Sequence, residues 1–200
     1  MIMGDTNVDS DGCNVLPLSE EFDIKLANEE RILFLNGDID EYSAGKFTRL
    51  SLFLRKTPDP VYVIISSVGG RLDCAKSIIR AIGDLRKSGC TVIGEVRGYA
   101  MSAGAIILQH CDIRYAGDED IIMMHGLSSA TVGDVRDQEE DLKLNKEIIS
   151  VWADFLMGRN TSELPECKTA DFWVKILKDA SPKYYLGKEA LEKGLIDGLI

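Results

Sequence analysis

The chain has 200 residues, 45% of them hydrophobic, which is enough for one domain whose core needs no disulfides. Its net charge of −10 argues against a nucleic-acid partner or an anionic membrane surface, since both require clustered Lys and Arg. Five cysteines without a CxxC pair favour neither a disulfide framework nor a zinc site, so we expect a reducing, cytoplasmic location.

The N-terminal 19 residues differ in character from the rest of the chain. They are polar and acidic, and we expect a flexible arm at residues 1–19 followed by a single domain at 20–200. There is no Lys or Arg before Lys25, and no apolar run approaches the length of a membrane span. The sequence therefore predicts no secretory signal and no membrane partner.

Short apolar runs alternate with helical patterns along the chain. The predicted strands are residues 31–35, 61–65, 91–97, 112–116 and 121–124, with a closing strand at 195–200. The predicted helices are residues 41–55, one carrying Cys74, Ile78, Ile82 and Leu85 on one face, one starting at Ala105, and 134–157, 171–178 and 188–193. Turns are predicted at residues 36–37 and 66–70, where Gly occurs.

Alternation of strands and helices predicts an α/β fold with a mostly parallel sheet and right-handed crossovers. In such sheets ligands bind at the carboxyl ends of the strands. The glycine turn at 66–70, Ser102 and His125 each follow a predicted strand. We therefore expect these three features to meet at one edge of the sheet.

Ser102 lies among small residues, in the octapeptide Gly-Tyr-Ala-Met-Ser-Ala-Gly-Ala at 98–105. The pattern is that of a strand, a tight turn and a helix. This arrangement exposes a hydroxyl beside free backbone N–H groups, as an acyl-transfer nucleophile requires. The alternative is a helix N-cap, for which Ser is also favoured, and the octapeptide alone favours neither.

A serine nucleophile needs a base, and the chain has two histidines. His125 follows a strand and is the better candidate, although it could be structural, whereas His110 is expected to cap or leave the preceding helix. The carboxylate that orients the base could be Asp179, in a loop between helices, or Asp112. Asp118, Glu119 and Asp120 are interpreted as a solvated acidic turn. The backbone N–H groups of Ala103 and Gly70 are the candidate oxyanion donors.

The helix predicted at 134–157 would be roughly 36 Å long. Its apolar stripe consists of Leu142, Ile149, Trp152 and Leu156, with Phe155 nearby. A helix of this length in a small domain favours packing on another subunit, and an ordinary surface helix is the alternative.

Five segments, in order, resemble the Clp protease proteolytic subunit family. They are residues 98–105 around Ser102, 122–125 ending in His125, 67–70 with the glycine pair, 184–197 near the C-terminus, and 22–35. The likeness extends from about residue 18 to the end and is nearly free of gaps.

This resemblance implies a crotonase-like fold of repeated β-β-α units with a long protruding helix, and a serine endopeptidase that needs no cofactor. Ser102, His125 and Asp179 would be the catalytic triad, Gly70 and Ala103 the oxyanion hole, and Gly69 with Gly70 a substrate-binding segment. It also implies a homo-oligomer of two stacked heptameric rings, polypeptide substrates and an AAA+ unfoldase partner that alone uses ATP.

The chain departs from the family pattern at several places. Residues 66–68 are Ser-Ser-Val where the family has Asn-Ser-Pro, and His125 precedes Gly-Leu in place of Gln-Pro. The assignment of Asp179 requires a one-residue gap, without which Lys178 would align. Residues 157–161 lack the usual His-Thr-Gly, and residues 1–19 do not resemble the family's axial loop. The last two departures concern ring contacts and ATPase docking more than chemistry.

Other function classes remain as alternatives. A crotonase-type acyl-CoA enzyme shares the fold but does not need Ser102 followed by His125. An α/β-hydrolase would require G-x-S-x-G and the order Ser, acid, His, and a Ser-Lys peptidase an exporting or spanning segment. A catalytically silent ring subunit that assembles with active paralogues is the non-enzymatic alternative.

Overall fold

The computed structural model describes residues 18–126, 135–179 and 181–200. The predicted arm, apart from its last two residues, lies outside the described residues. The helices are α1 (Leu18–Glu30), α2 (Glu41–Leu54), α3 (Leu72–Lys87), α4 (Ala103–Gln109), α5 (Val135–Arg159), α6 (Ala170–Lys178) and α7 (Gly187–Glu192). The strands are β1 (Ile32–Ile39), β2 (Val61–Gly70), β3 (Val92–Met101), β4 (Ile113–Ala116), β5 (Ile121–Met124), β6 (Lys183–Leu186) and β7 (Gly198–Leu199).

These strands form a sheet with the order β1-β2-β3-β4-β7, and β5 branches from β3 and pairs with β6. All pairs are parallel except β5 with β6. Strand β3 is long enough for two neighbours, since Ile93–Glu95 pairs with β4 and Tyr99–Met101 pairs with β5. The mostly parallel sheet predicted from the sequence is confirmed, and β3 positions Ser102 beside the strand that leads to His125.

Two predicted turns are parts of strands. Strand β1 continues through Asn36 and Gly37 to Ile39 with a register shift between Asn36 and Asp38. Strand β2 likewise continues through the glycine segment to Gly70, because Asp38 and Ile39 pair with its last two residues. The prediction of turns was wrong here because β1 and β2 stay paired through these residues, and the register shift accommodates glycines with positive φ, Gly37 at +77° and Gly69 at +97°.

Helix α1 and strand β6 were not predicted. Helix α1 has almost no apolar stripe, and it contacts α2 through polar pairs, with Tyr42 Oη donating to Glu20 at 2.5 Å and Lys46 contacting Asp23. Strand β6 has no alternating apolar pattern of its own. It is extended because it pairs with β5. Both elements depend on tertiary partners, which a periodicity argument does not detect.

The C-terminal part of the apolar stripe of α5 is covered by the chain itself. Trp152 and Leu156 are buried, and the Phe155 ring stacks on His110 with 4.0 Å between ring centroids. Helix α6, which carries the buried Trp173, packs against α5. The expectation that Trp152 needs another subunit to cover it was therefore wrong, and Phe155 is half-buried within the chain.

A buried guanidinium connects three distant parts of the chain. The Arg114 side chain is 1% exposed, and its Nε and Nη2 donate to the two carboxylate oxygens of Asp197 at 2.9 and 2.7 Å. It also contacts Gln109 Oε1 and donates to the Arg159 carbonyl at 3.3 Å. These bonds fasten the C-terminal segment and the end of α5 to β4. In the described part of the chain, no helix is long and apolar enough to cross a bilayer.

Candidate active site

Ser102 occupies a strained junction between β3 and α4. Its backbone φ is +52° and its ψ is −119°, a conformation that L residues rarely adopt. The Ser102 N–H donates to the Met123 carbonyl at 2.8 Å, which holds the junction against β5. The side chain makes no capping bond to α4 within the described structure. Ser102 thus stands at the N-cap position without the N-cap hydrogen bond, and its hydroxyl is available for other partners.

The hydroxyl instead pairs with His125, which follows β5. The distance from Ser102 Oγ to His125 Nε2 is 2.8 Å. The other ring nitrogen, Nδ1, is 2.6 Å from the Gly126 carbonyl oxygen. Because a carbonyl only accepts, Nδ1 carries the proton and Nε2 accepts from the serine. This is the tautomer that a general base for Ser102 requires.

The backbone of Asp179 bonds to Gly126, the residue after this histidine, but the Asp179 carboxylate has other partners. The Asp179 carbonyl accepts from Gly126 N–H at 2.6 Å. The carboxylate accepts from Ser181 N–H at 2.9 Å and contacts Lys183 Nζ at 3.1 Å. These bonds, the Ser181 N–H first and Lys183 second, lower the pKa of Asp179. Among the described residues, the carboxylate therefore faces Lys183 and not His125.

The glycine segment of β2 forms the wall opposite Ser102. Gly69 has φ +97°, and a Cβ there would lie 2.7 Å from Ser102 Cβ and 3.0 Å from Ala103 N. Ser67 Oγ accepts from Gly69 N–H at 3.1 Å and donates to the Gly37 carbonyl at 2.6 Å, which holds the segment in place. A Cβ at Gly70 would instead collide with the backbone of Ile39. Backbone can approach this closely only where no side chain intervenes.

Replacing Gly69 by alanine is expected to lower the rate at which Ser102 reacts as a nucleophile by on the order of 100-fold. The added methyl must displace Ser102 or Ala103, and a misplacement of about 1 Å has a cost of this size. The matched control is Gly83→Ala in α3, where a Cβ meets nothing within 4 Å and the helix favours Ala. Initial rates on a fluorogenic peptide measure both variants. Equal activity of the two would show that the glycine wall does not position the serine.

His110 lies away from this site and does not act on Ser102. It ends α4 and stacks on Phe155. Burial, reinforced by Arg86 and Arg159, lowers the pKa of His110 to about 4. The expectation that it caps or leaves the helix is confirmed.

The other acidic candidates hold backbone turns. Asp112 accepts from Val92 N–H at 2.8 Å, and Asp120 accepts from Gly98 N–H at 2.7 Å and Gly117 N–H at 2.6 Å. Asp118 pairs with Lys188 on the surface. Their described contacts are structural, and none of them involves His125.

Sequence reasoning missed the roles of Gly126 and Lys183. A Cβ at Gly126 would lie 2.9 Å from the Asp179 carbonyl oxygen, so only Gly allows this contact. The available signal was the Gly that follows His125, a departure from the family pattern. For Lys183 the signal was its four-residue spacing from Asp179. No cluster of three or more metal-ligating side chains occurs in the described ranges.

The chain is similar to known proteins over most of its length. A profile of the family described as Clp protease matches residues 20–200. The chain is similar to the ATP-dependent Clp protease proteolytic subunit 4, chloroplastic, of Arabidopsis thaliana, with 31% identity over 180 residues. The match covers 86% of this chain and 56% of that protein, so the chain spans little more than half the length of this relative. The mixed α/β architecture is consistent with the crotonase-like fold of the family, and the chain belongs to the Clp protease family.

Proposed function

We propose that this chain is a serine endopeptidase, the proteolytic subunit of an ATP-dependent Clp-type protease that cleaves unfolded polypeptides and short peptides. The observation that carries the proposal is the 2.8 Å pairing of Ser102 Oγ with His125 Nε2 at a strained strand–helix junction. A strained nucleophile position supported by a correctly protonated base is characteristic of catalytic serines.

In the proposed reaction, Ser102 Oγ attacks the scissile carbonyl while His125 Nε2 takes the hydroxyl proton. The N–H groups of Ala103 and Gly70 stabilise the oxyanion that forms. His125 then passes the proton to the leaving amine, whose departure leaves an acyl-enzyme on Ser102. Water, activated by the same histidine, hydrolyses this ester and restores the serine. Asp179 is the third member of the triad and stabilises the imidazolium when its carboxylate reaches Nδ1.

One observation favours a second candidate function, a catalytically silent ring subunit. The Asp179 carboxylate is paired with Lys183, so the third member of the triad is not on the histidine. Labelling by a fluorophosphonate separates the two candidates, because the reagent reports an activated serine directly. A crotonase-type enzyme would turn over an acyl-CoA and would not need the serine–histidine pair.

We further propose a homo-oligomer of two stacked heptameric rings that works with an AAA+ unfoldase. Membership of the Clp protease family supports this assembly. Exposed apolar side chains on α5 and β6 supply surface for it, namely Val151, Tyr184 and Leu186, each more than half exposed. The cytoplasmic location stays a prediction, and the four described cysteines are free thiols.

Short peptides are expected to be hydrolysed without ATP, whereas a folded protein is expected to be degraded only with ATP and the unfoldase. The reason is that an enclosed chamber admits peptides by diffusion and excludes folded chains. Fluorogenic peptide hydrolysis and loss of a folded fluorescent substrate measure the two activities, and sedimentation velocity measures the particle. Active protein that sediments as a monomer would refute the assembly. Rapid ATP-free cleavage of the folded substrate would refute the gating.

A further inference from the structure

Lys183 holds the Asp179 carboxylate beside the strand that leads to His125. Lys183 is the first residue of β6 and pairs across the sheet with Met124, the residue before His125. This register places Lys183 beside the histidine strand while its Nζ contacts Asp179 Oδ2 at 3.1 Å. The Gly126 N–H donates to the Asp179 carbonyl at 2.6 Å, which joins Asp179 to the residue after His125. Asp179 is thus attached to the histidine strand by its backbone and to β6 by its side chain.

The imidazole is complete as a base without the carboxylate. Its Nδ1 proton is donated to the Gly126 carbonyl at 2.6 Å, which fixes the tautomer. A neutral carbonyl stabilises an imidazolium less than a carboxylate does, because only the carboxylate bond is charge-assisted. The observed arrangement therefore supports proton abstraction by His125. Movement of the Asp179 carboxylate to Nδ1 would stabilise the resulting imidazolium further.

The pairing that holds the carboxylate is an exposed one. The side chains of Lys183 and Asp179 are 45% and 33% exposed. Ion pairs with this exposure contribute little because water competes for both partners. A contact of this kind can be exchanged for another at small cost, whereas the backbone bond from Gly126 keeps Asp179 next to the histidine.

We propose that Lys183 is a positioning residue that holds the Asp179 carboxylate away from His125, so that the acid joins the triad only when Lys183 releases it. This inference rests on the proposed function, since it assigns a role within the same Ser102–His125 site. Lys183 does not touch the reacting atoms and acts through Asp179 alone.

The test is a double-mutant cycle on the full chain with a fluorogenic peptide substrate. Lys183→Met should raise kcat by on the order of tenfold with little change in KM, because it improves transition-state charge stabilisation and not ground-state binding. Lys183→Arg keeps the cation and should reverse most of the rise. In the Asp179→Asn background, Lys183→Met should have no effect on kcat.

The matched control is Lys178→Met, which removes an exposed cation on the other side of Asp179. It should leave kcat as it is, so a general effect of charge is distinguished from release of Asp179. A rise that persists in the Asp179→Asn background would overturn the proposal, because it would show that Lys183 acts on His125 directly. An unchanged or lower kcat in Lys183→Met would overturn it as well.

A second readout does not require catalysis. With Ser102→Ala protein, proton NMR can follow the Nδ1–H signal of His125, and the chain has only one other histidine, His110, to assign. Lys183→Met should move this signal downfield as a carboxylate replaces the carbonyl, and Asp179→Asn should prevent the shift. An unmoved signal would contradict the inference. Absence of peptidase activity with the signal shifted would instead contradict the proposed function alone.

Discussion

Ser102→Ala is expected to abolish fluorophosphonate labelling and to lower peptide hydrolysis by on the order of 10⁴-fold or more. The hydroxyl is the only atom group removed, and it is the one that His125 Nε2 contacts at 2.8 Å. Stability should not fall, since the side chain makes no capping bond in the described structure and the Ser102 N–H bond to Met123 is retained. In-gel fluorescence measures the loss of labelling. Circular dichroism measures whether the fold and its stability are retained.

The control for this prediction is Ser77→Ala in α3. Ser77 is exposed, and its hydroxyl donates to the Asp73 carbonyl at 3.2 Å, so it has no role at the site. The Ser77→Ala variant should be labelled by the fluorophosphonate as strongly as the wild-type chain. If labelling survived in Ser102→Ala, the nucleophile would be another residue and the proposed function would lose its main support.

Arg114→Met is expected to lower the free energy of unfolding by about 3–5 kcal/mol, because it leaves the partly buried Asp197 carboxylate without its cation. In a chain of this size this corresponds to a fall in Tm on the order of 10 °C. Denaturant unfolding at one protein concentration measures the change in the free energy of unfolding. The control is Arg71→Met, whose side chain is 56% exposed and pairs with exposed carboxylates. That change should cost at most about 1 kcal/mol.

The difference between wild-type chain and Arg114→Met should narrow in acid. Burial by itself raises the pKa of Asp197, but the bonds and charge of Arg114 outweigh burial and hold that pKa below its ordinary value of 3.8. A lowered folded-state pKa stabilises the protein above the unfolded value and ceases to do so as pH falls through the folded value. A difference in unfolding free energy that stays constant from neutral pH to well below 3.8 would show that Asp197 is not the group involved.

Local pattern was sufficient for most of the element order. Helices α2 and α6 and strand β5 begin and end within a few residues of their predicted positions, since apolar periodicity and flanking Gly and Pro are properties of neighbouring residues. The meeting of the glycine segment, Ser102 and His125 also followed from the sequence, because the carboxyl ends of parallel strands share one edge.

The sequence did not identify what covers the apolar residues of α5. Trp152 lies on the expected face and is buried within the chain, and the nearby Phe155 stacks on His110 of the same chain. Apolar periodicity identifies which side of a helix is buried without identifying the partner that buries it.

The sequence by itself determined the α/β class and the identity of the nucleophile and base candidates, because these depend on short-range patterns. Only the tertiary structure decided that the Ser102 hydroxyl bonds to His125 and does not cap α4. That choice depends on the pairing of β5 with β3. It also decided that the Asp179 carboxylate faces Lys183, because the antiparallel pairing of β5 with β6 places Lys183 beside the strand that leads to His125. Competition between partners for one side chain is a property of three-dimensional distance, which no spacing along the chain specifies.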